Sequence, residues 1–124
     1  MYSVKVRDHI MIAHSLPDPF FGPAQGMHGA TYVVDVTFYS QQLNDKNVVI
    51  DIGAAHDALK ETLSGLAYKN LDEHSEMQGD ITTTEYLAKF IHDKVGARVA
   101  TVFSGKIRVT LGESHVAWAS YESE

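Results

Sequence analysis

The stretch Gln25-Gly-Met-His-Gly-Ala-Thr-Tyr-Val-Val-Asp-Val-Thr-Phe38 decides how this chain is read. From Ala30 on, Tyr32, Val34, Val36 and Phe38 fall on one side, with Val33, Asp35 and Thr37 on the other. That period of two marks a half-buried strand. His28 and Ala30 share a face at its mouth. A metal site on a strand commonly takes ligands at positions i and i+2, whose side chains project the same way. Here the second position is a methyl group.

Upstream, residues 3–14 alternate in the same manner, with Val4, Val6, Ile10 and Ile12 on one face and His14 continuing their register. His9, an odd step away, belongs to the other face. Between the two strands, Leu16-Pro-Asp-Pro-Phe-Phe-Gly-Pro23 gathers all three prolines, which excludes regular helix and central strand. Its aromatics Phe20 and Phe21, like Trp118, are expected in core or subunit contacts.

Downstream of Asp51, apolar residues recur at steps of three and four through Leu66, predicting a helix near 54–66. Thr82 to Glu85 has the spacing of a capping box, and Leu87, Phe90, Ile91 and Val95 supply a second apolar stripe. Gly96 is the expected stop, giving a helix over 83–95. Residues 97–103 are expected as a short strand or an extended loop. Residues 106–111 alternate again, Gly112-Glu-Ser114 is expected to turn, and 115–121 to pair back as a hairpin.

The order β-β-α-α-β-β predicts an α+β domain over residues 1–124, an antiparallel four-stranded sheet with both helices on one face. The other, partly apolar face then lacks an internal cover, and oligomerisation follows from the element count.

Composition narrows the function. A formal charge of −6 over 124 residues, without a basic run, argues against nucleic acid as a partner. The absence of cysteine excludes disulfides, thiolate ligands and cysteine nucleophiles. The N-terminal residues alternate charge with apolar side chains, unlike a signal peptide, and no apolar run approaches the roughly 18 residues of a membrane span. A cytoplasmic protein without membrane contact is the expectation.

Several fragments, in this order, resemble the family of 6-pyruvoyl-tetrahydropterin and 6-carboxy-tetrahydropterin synthases. They are Ile12-Ala-His14, Met27-His-Gly29 with Tyr32, Val49-Ile-Asp-Ile-Gly53, Lys69-Asn-Leu-Asp72, Thr83-Thr-Glu85 with Leu87-Ala88, and Val109-Thr-Leu-Gly-Glu-Ser114. The resemblance implies the tunnelling fold, in which the strands of several subunits join around a trimeric barrel. Two trimers then stack into a hexamer with active sites between subunits.

It also implies roles. In that family three histidines hold zinc, and His14 and His28 stand at the first two positions while Ala30 stands at the third. A catalytic zinc normally uses three protein ligands and an open position, so no zinc is expected and these two are residual ligand positions. Ala24 stands where the family has a nucleophile-like cysteine, and Ala67 and Tyr68 where it has a partner aspartate and histidine. An unassisted tyrosine titrates near pH 10 and is a poor general base at neutral pH.

Glu113, by contrast, matches the glutamate that grips the pterin ring through its N–H and amino group, and Thr83 and Thr84 match threonines against the same ring. Bland alternatives are a surface carboxylate beside a turn for Glu113 and simple helix initiation for the threonines. Replacement chemistry could be assembled only from Tyr68, Asp72 and His74, the alternative being that Asp72, Glu73, His74 and Glu76 form a solvated acidic loop; His115, two residues from Glu113, reads as a solvated hairpin histidine.

The expectation is a homologue that binds a pterin-like ligand at a subunit interface without the family's zinc-dependent synthase activity. The alternatives are a metal-independent enzyme acting on a different pterin, and a non-catalytic carrier or regulatory subunit.

Overall fold

The computed structural model describes residues 1–123. Strands β1 (Tyr2–His14), β2 (His28–Ser40), β3 (Lys106–Ser114) and β4 (Ala117–Glu122) form one antiparallel sheet in sequence order. Helices α1 (Ile52–Ser64) and α2 (Thr84–Val99) lie on one face, α1 against β1 and α2 against β3 and β4. The even-numbered side chains of β2 (Tyr32, Val34, Val36, Phe38) are buried beneath them with Val6, Ile10 and Ile12 of β1. Val109 and Leu111 of β3 complete that layer. The alternating pattern thus becomes a sheet face because every second side chain leaves water under a helix.

Helix α1 starts two residues earlier than its apolar spacing predicts, because the Asp51 carboxylate accepts from the Ala54 amide at 2.8 Å and fixes the first turn. Helix α2 departs from expectation at both ends. Its cap is Thr83, whose hydroxyl accepts from the Tyr86 amide at 3.1 Å; Thr82 is instead buried and turned toward β1. Gly96 does not stop the helix. Val95 and Val99 are both buried one turn apart, and that burial carries the helix through the glycine to Val99, so 97–103 contains no strand.

The last hairpin also differs from its sequence reading. Strand β3 runs on through Gly112-Glu-Ser114, and the turn falls at 115–116. A bulge lies there: Gly112 faces Trp118 and Ser114 faces Ala117, leaving Glu113 as the extra residue on β3. Bulges bend a strand locally and re-aim the side chain they release.

The open face of the sheet mixes ionic rows with exposed apolar groups. Arg7 grips Asp35 through two hydrogen bonds of 2.6 and 2.9 Å, and Lys106 and Arg108 approach Glu122. Met11, Val33 and Trp118 stand exposed on the same face. Phe20 is 87% exposed and contributes nothing to the core of the protomer.

Among the described residues no helix is long and apolar enough to cross a membrane. Gly105, which opens β3, has its close neighbours on two sides. A Cβ there would lie 2.6 Å from the Tyr39 carbonyl oxygen and 2.8 Å from the Phe103 ring. Gly105→Ala should therefore destabilise the fold by about 1–3 kcal/mol, read as a lower urea midpoint. An unchanged midpoint would contradict this packing.

Candidate functional site

The β1–β2 ladder ends with His14 directly opposite His28. Their rings meet edge to face, centroids 4.6 Å apart. His14 is 3% exposed, and its Nδ1 shares a hydrogen bond of 3.0 Å with the Thr82 hydroxyl. His28 Nδ1–H donates to the Gly26 carbonyl at 2.9 Å. That bond leaves His28 Nε2 carrying a lone pair. Beside them, the Asp72 carboxylate accepts from the Ser15 amide at 3.1 Å and from the Ser15 hydroxyl, tying the segment after α1 to the end of β1.

A cavity of about 260 Å³ opens from this pair and is also lined by Leu16, Phe21, Ala24, Tyr32, Thr83, Thr84, Glu85 and Glu113. Four elements converge here: the end of β1 with the connection after it, the start of β2, the start of α2, and the bulge of β3. Glu113 follows Leu111 on the helix-facing side of β3, beyond the point where α2 covers the strand. Larger cavities, of about 410 Å³, lie beside the start of α1 and between α2 and β4, but neither contains a histidine. A cavity of about 210 Å³ between α1 and α2 also combines an imidazole, His74, with hydroxyls and carboxylates, but only the 260 Å³ site holds a facing pair of histidines beside them, and convergent polar groups are what orient a bound ligand.

Burial pushes the His14 imidazole below its ordinary range, assisted by the neighbouring His28 and opposed by Asp72, Thr82 and Glu113. Its neutral form is the one the fold favours. Burial likewise pushes the Tyr32 phenol up to about 12, with the Thr84 side chain pulling the other way and the Glu113 charge adding to the rise. Tyr32 is thus a neutral hydrogen-bonding wall.

Two facing imidazoles are a beginning of a metal site, and the residues can be tested against zinc. The strand position that would supply a third nitrogen is Ala30. Among the described residues no group of three or more histidines, cysteines, aspartates or glutamates is placed to hold an ion. A tetrahedral catalytic zinc with three protein ligands does not fit this donor set within one protomer.

His14, His28, Thr83, Thr84 and Glu113, singled out in the sequence, come together. Tyr68 and His74 do not. Tyr68 is 83% exposed, at φ 59°, beside a separate hollow with Met11 and Lys69. His74 packs edge to face on Phe90 at 5.8 Å and borders a cavity between α1 and α2. His115 is exposed at the hairpin turn and His9 on the open face. Phe21, expected in core or subunit contacts, lines the cavity instead. Leu16, Thr82, Tyr32 and Glu85 also belong to the site or its support; Tyr32 and Glu85 stood in the matching fragments and Thr82 at the head of the capping box, but no site role was read for them, and Leu16 had no signal.

The family model described as 6-pyruvoyl tetrahydropterin synthase matches residues 3–124. The 6-carboxy-5,6,7,8-tetrahydropterin synthase of Bacillus subtilis (strain 168) is 30% identical over 99 residues, 76% of this chain and 65% of its own length. The 6-pyruvoyl tetrahydrobiopterin synthase of Dictyostelium discoideum is 32% identical over 77 residues, 60% of this chain and 57% of its own. The matches thus span less than two thirds of either relative. Among solved structures, the 6-pyruvoyl tetrahydropterin synthase of Caenorhabditis elegans superposes with a TM-score of 0.86 at 19% identity, covering 99% of this chain and 96% of that one. That of Plasmodium vivax gives 0.78 at 12%, covering 99% of both. These likenesses establish the tunnelling fold of the protomer.

The buried imidazole has a measurable consequence. A histidine whose folded pKa lies below its unfolded value of about 6.5 contributes stability that is complete above that pH. The contribution is lost as pH falls from there through the folded pKa. In an NMR titration His14 should protonate below the ordinary histidine value of about 6.5, and His14→Gln should flatten the acid side of the stability curve. A His14 midpoint at or above about 6.5 would refute the assignment.

Proposed function

We propose a function from one premise: the chain belongs to the 6-pyruvoyl tetrahydropterin synthase family. On that premise, residues 1–124 act as one tunnelling-fold domain whose cavity binds a pterin-like heterocycle. Glu113 accepts hydrogen bonds from the ring N–H and exocyclic amino group, and Thr83 and Thr84 lie against the same ring. The observation that carries this is the convergence of Glu113, Thr83 and Thr84 on one cavity with the His14–His28 pair. The bulge that frees Glu113 from the β3–β4 ladder supports it, because a bulge re-aims the side chain of its extra residue, here at the end of the strand beside the cavity.

The same cavity argues against the family's synthase reaction. Its wall carries the methyl group of Ala24 at the position where the resemblance implies a cysteine. Ala30 and Ala67 replace further members of the metal and proton-transfer sets. Abstraction of a proton beside a polarised oxygen requires a base and an electrophile, and neither is supplied by methyl groups. The protein works as a cytoplasmic homo-oligomer, a dimer of trimers with the site at a subunit interface. Support for assembly comes from the exposed Met11, Val33 and Trp118 and from the outer edge of β4, which has no strand partner among the described residues.

One observation favours a second reading, in which the protein is a metal-independent enzyme. Tyr68 holds a left-handed backbone conformation, costly for a tyrosine, and projects away from its own protomer. Such a residue is suited to serve a neighbouring subunit's site.

Titration of the purified protein with a panel of reduced pterins, followed by ligand fluorescence, separates these readings. Binding should be weakened by Glu113→Ala by about 2–4 kcal/mol, roughly 30- to 1,000-fold, with the oligomer intact. Ligand recovered unchanged supports the binding role. Turnover abolished by Tyr68→Phe supports the enzyme. Affinity indifferent to Glu113→Ala, or one tightly held zinc per chain by elemental analysis, would overturn the proposal.

A further inference from the structure

His74, set apart from the proposed pterin site, lines a second cavity, of about 210 Å³. Its walls are the end of α1, the segment that follows that helix and one face of α2. No strand contributes to it, so pairing of β1 or β4 with a neighbouring subunit does not complete it. Thr62, on its α1 wall, is 6% exposed, and its hydroxyl has no hydrogen-bond partner among the described residues. A buried hydroxyl left unpaired is a cost to the fold that a polar ligand seated against it removes.

Charge is arranged in pairs around the same space. Arg98 donates to the Glu61 carboxylate at 3.0 Å through one of its nitrogens. Lys94 donates to Glu76 at 2.5 Å, with its ammonium 5.4 Å from the centre of the Phe90 ring. Each cation keeps N–H groups to spare, since a guanidinium carries five and an ammonium three. The Glu76 amide donates to His74 Nδ1 at 3.2 Å, which puts the imidazole proton on Nε2 as a further donor. Two positive and two negative side chains therefore line the cavity, with Leu66 and Phe90 as its apolar part.

From this lining we infer a second binding site, for a small zwitterion of the α-amino acid class. The ligand carboxylate takes the free edge of the Arg98 guanidinium, a planar match that an ammonium does not offer, together with His74 Nε2–H. The ligand ammonium meets the carboxylates of Glu61 and Glu76, and its side chain lies on Leu66 and Phe90. A lining of both signs and no net formal charge discriminates among ligands. A simple acid adds an unpaired negative charge beside the two glutamates, and a simple amine an unpaired positive charge beside Lys94 and Arg98. An apolar cavity of about 150 Å³ accommodates benzene, so about 210 Å³ suits a compound of roughly eight to ten non-hydrogen atoms. The site stands independently of the pterin reading and of any metal.

Equilibrium dialysis of the full chain against neutral α-amino acids tests this, each compared with the acid lacking its amino group and the amine lacking its carboxylate. At least one amino acid should bind once per chain with Kd below about 1 mM, and at least ~10-fold more tightly than either truncated analogue. Arg98→Gln should weaken that binding ~10-fold or more, whereas neopterin should not displace it. Thr62→Val should weaken it as well while the urea midpoint of the free protein holds or rises, because an unpaired polar group has been removed. The inference would be overturned if no amino acid bound with Kd below about 1 mM, or if an acid or amine bound as tightly as the amino acid. Affinity indifferent to Arg98→Gln in a variant that stays folded, displacement by neopterin, or a urea midpoint lowered by Thr62→Val would overturn it equally.

Discussion

The register of β1 against β2 is the constraint on which the site depends. Thirteen residues of each strand pair without interruption, from Tyr2 opposite Ser40 to His14 opposite His28. A slip of one residue would turn Val6, Ile10 and Ile12 into water and His14 away from the cavity, so burial of the apolar face and placement of the histidine are one event. The free energy that holds the register is hydrophobic and spread over the whole strand. The site at its end inherits a position it does not itself have to stabilise. His14 then reaches Thr82 and thereby anchors the start of α2, which brings Thr83 and Thr84 to the same place.

This dependence explains which parts of the molecule were legible in the sequence. Alternation reports burial directly, so β1, β2 and most of β3 could be read from side-chain chemistry alone. The helices could be read from their stripes but not from their ends. Three consecutive threonines at 82–84 are equivalent as caps by local chemistry, and only the distant His14 decides that Thr82 turns inward and Thr83 caps. Gly96 failed as a stop for a comparable reason: the burial of Val99 outweighs the modest cost of glycine inside a helix. The site residues recognised by resemblance converge, whereas Leu16 and Phe21 enter the cavity through a proline-rich connection whose course no local pattern encodes.

Glu113 shows how a single irregularity turns sheet into site. In an unbroken hairpin it would be one more residue in the β3–β4 ladder, with its backbone fully committed to that pairing. The extra residue at the bulge removes it from the pairing, while Gly112 beside it admits the Trp118 indole, whose Nε1 would lie only 3.1 Å from a Cβ at that position. Trp118 can therefore fold over the strand just where the strand bends. Local disruption, often a liability in a sheet, is here confined to the last residues of β3, beyond the span that pairs with β2.

The same arrangement accounts for how such a pocket could change its chemistry without losing its fold. Ala24 and Ala30 lie at the mouth of the β1–β2 hairpin, outside the fully buried layer formed by Val34, Val36 and Phe38. Replacing large polar groups there by methyl groups opens no cavity in that layer and strands no buried charge, the two routes by which substitutions become severely destabilising. His14 is different: it is buried and hydrogen-bonded, and its removal would leave the Thr82 hydroxyl unsatisfied beneath α2. Physical cost therefore falls unevenly on the members of such a site. Rim positions are free to drift, while His14 is held by its structural role whether or not any metal or proton passes through it. The histidine at this point therefore speaks for the packing of α2 on β1 before it speaks for catalysis.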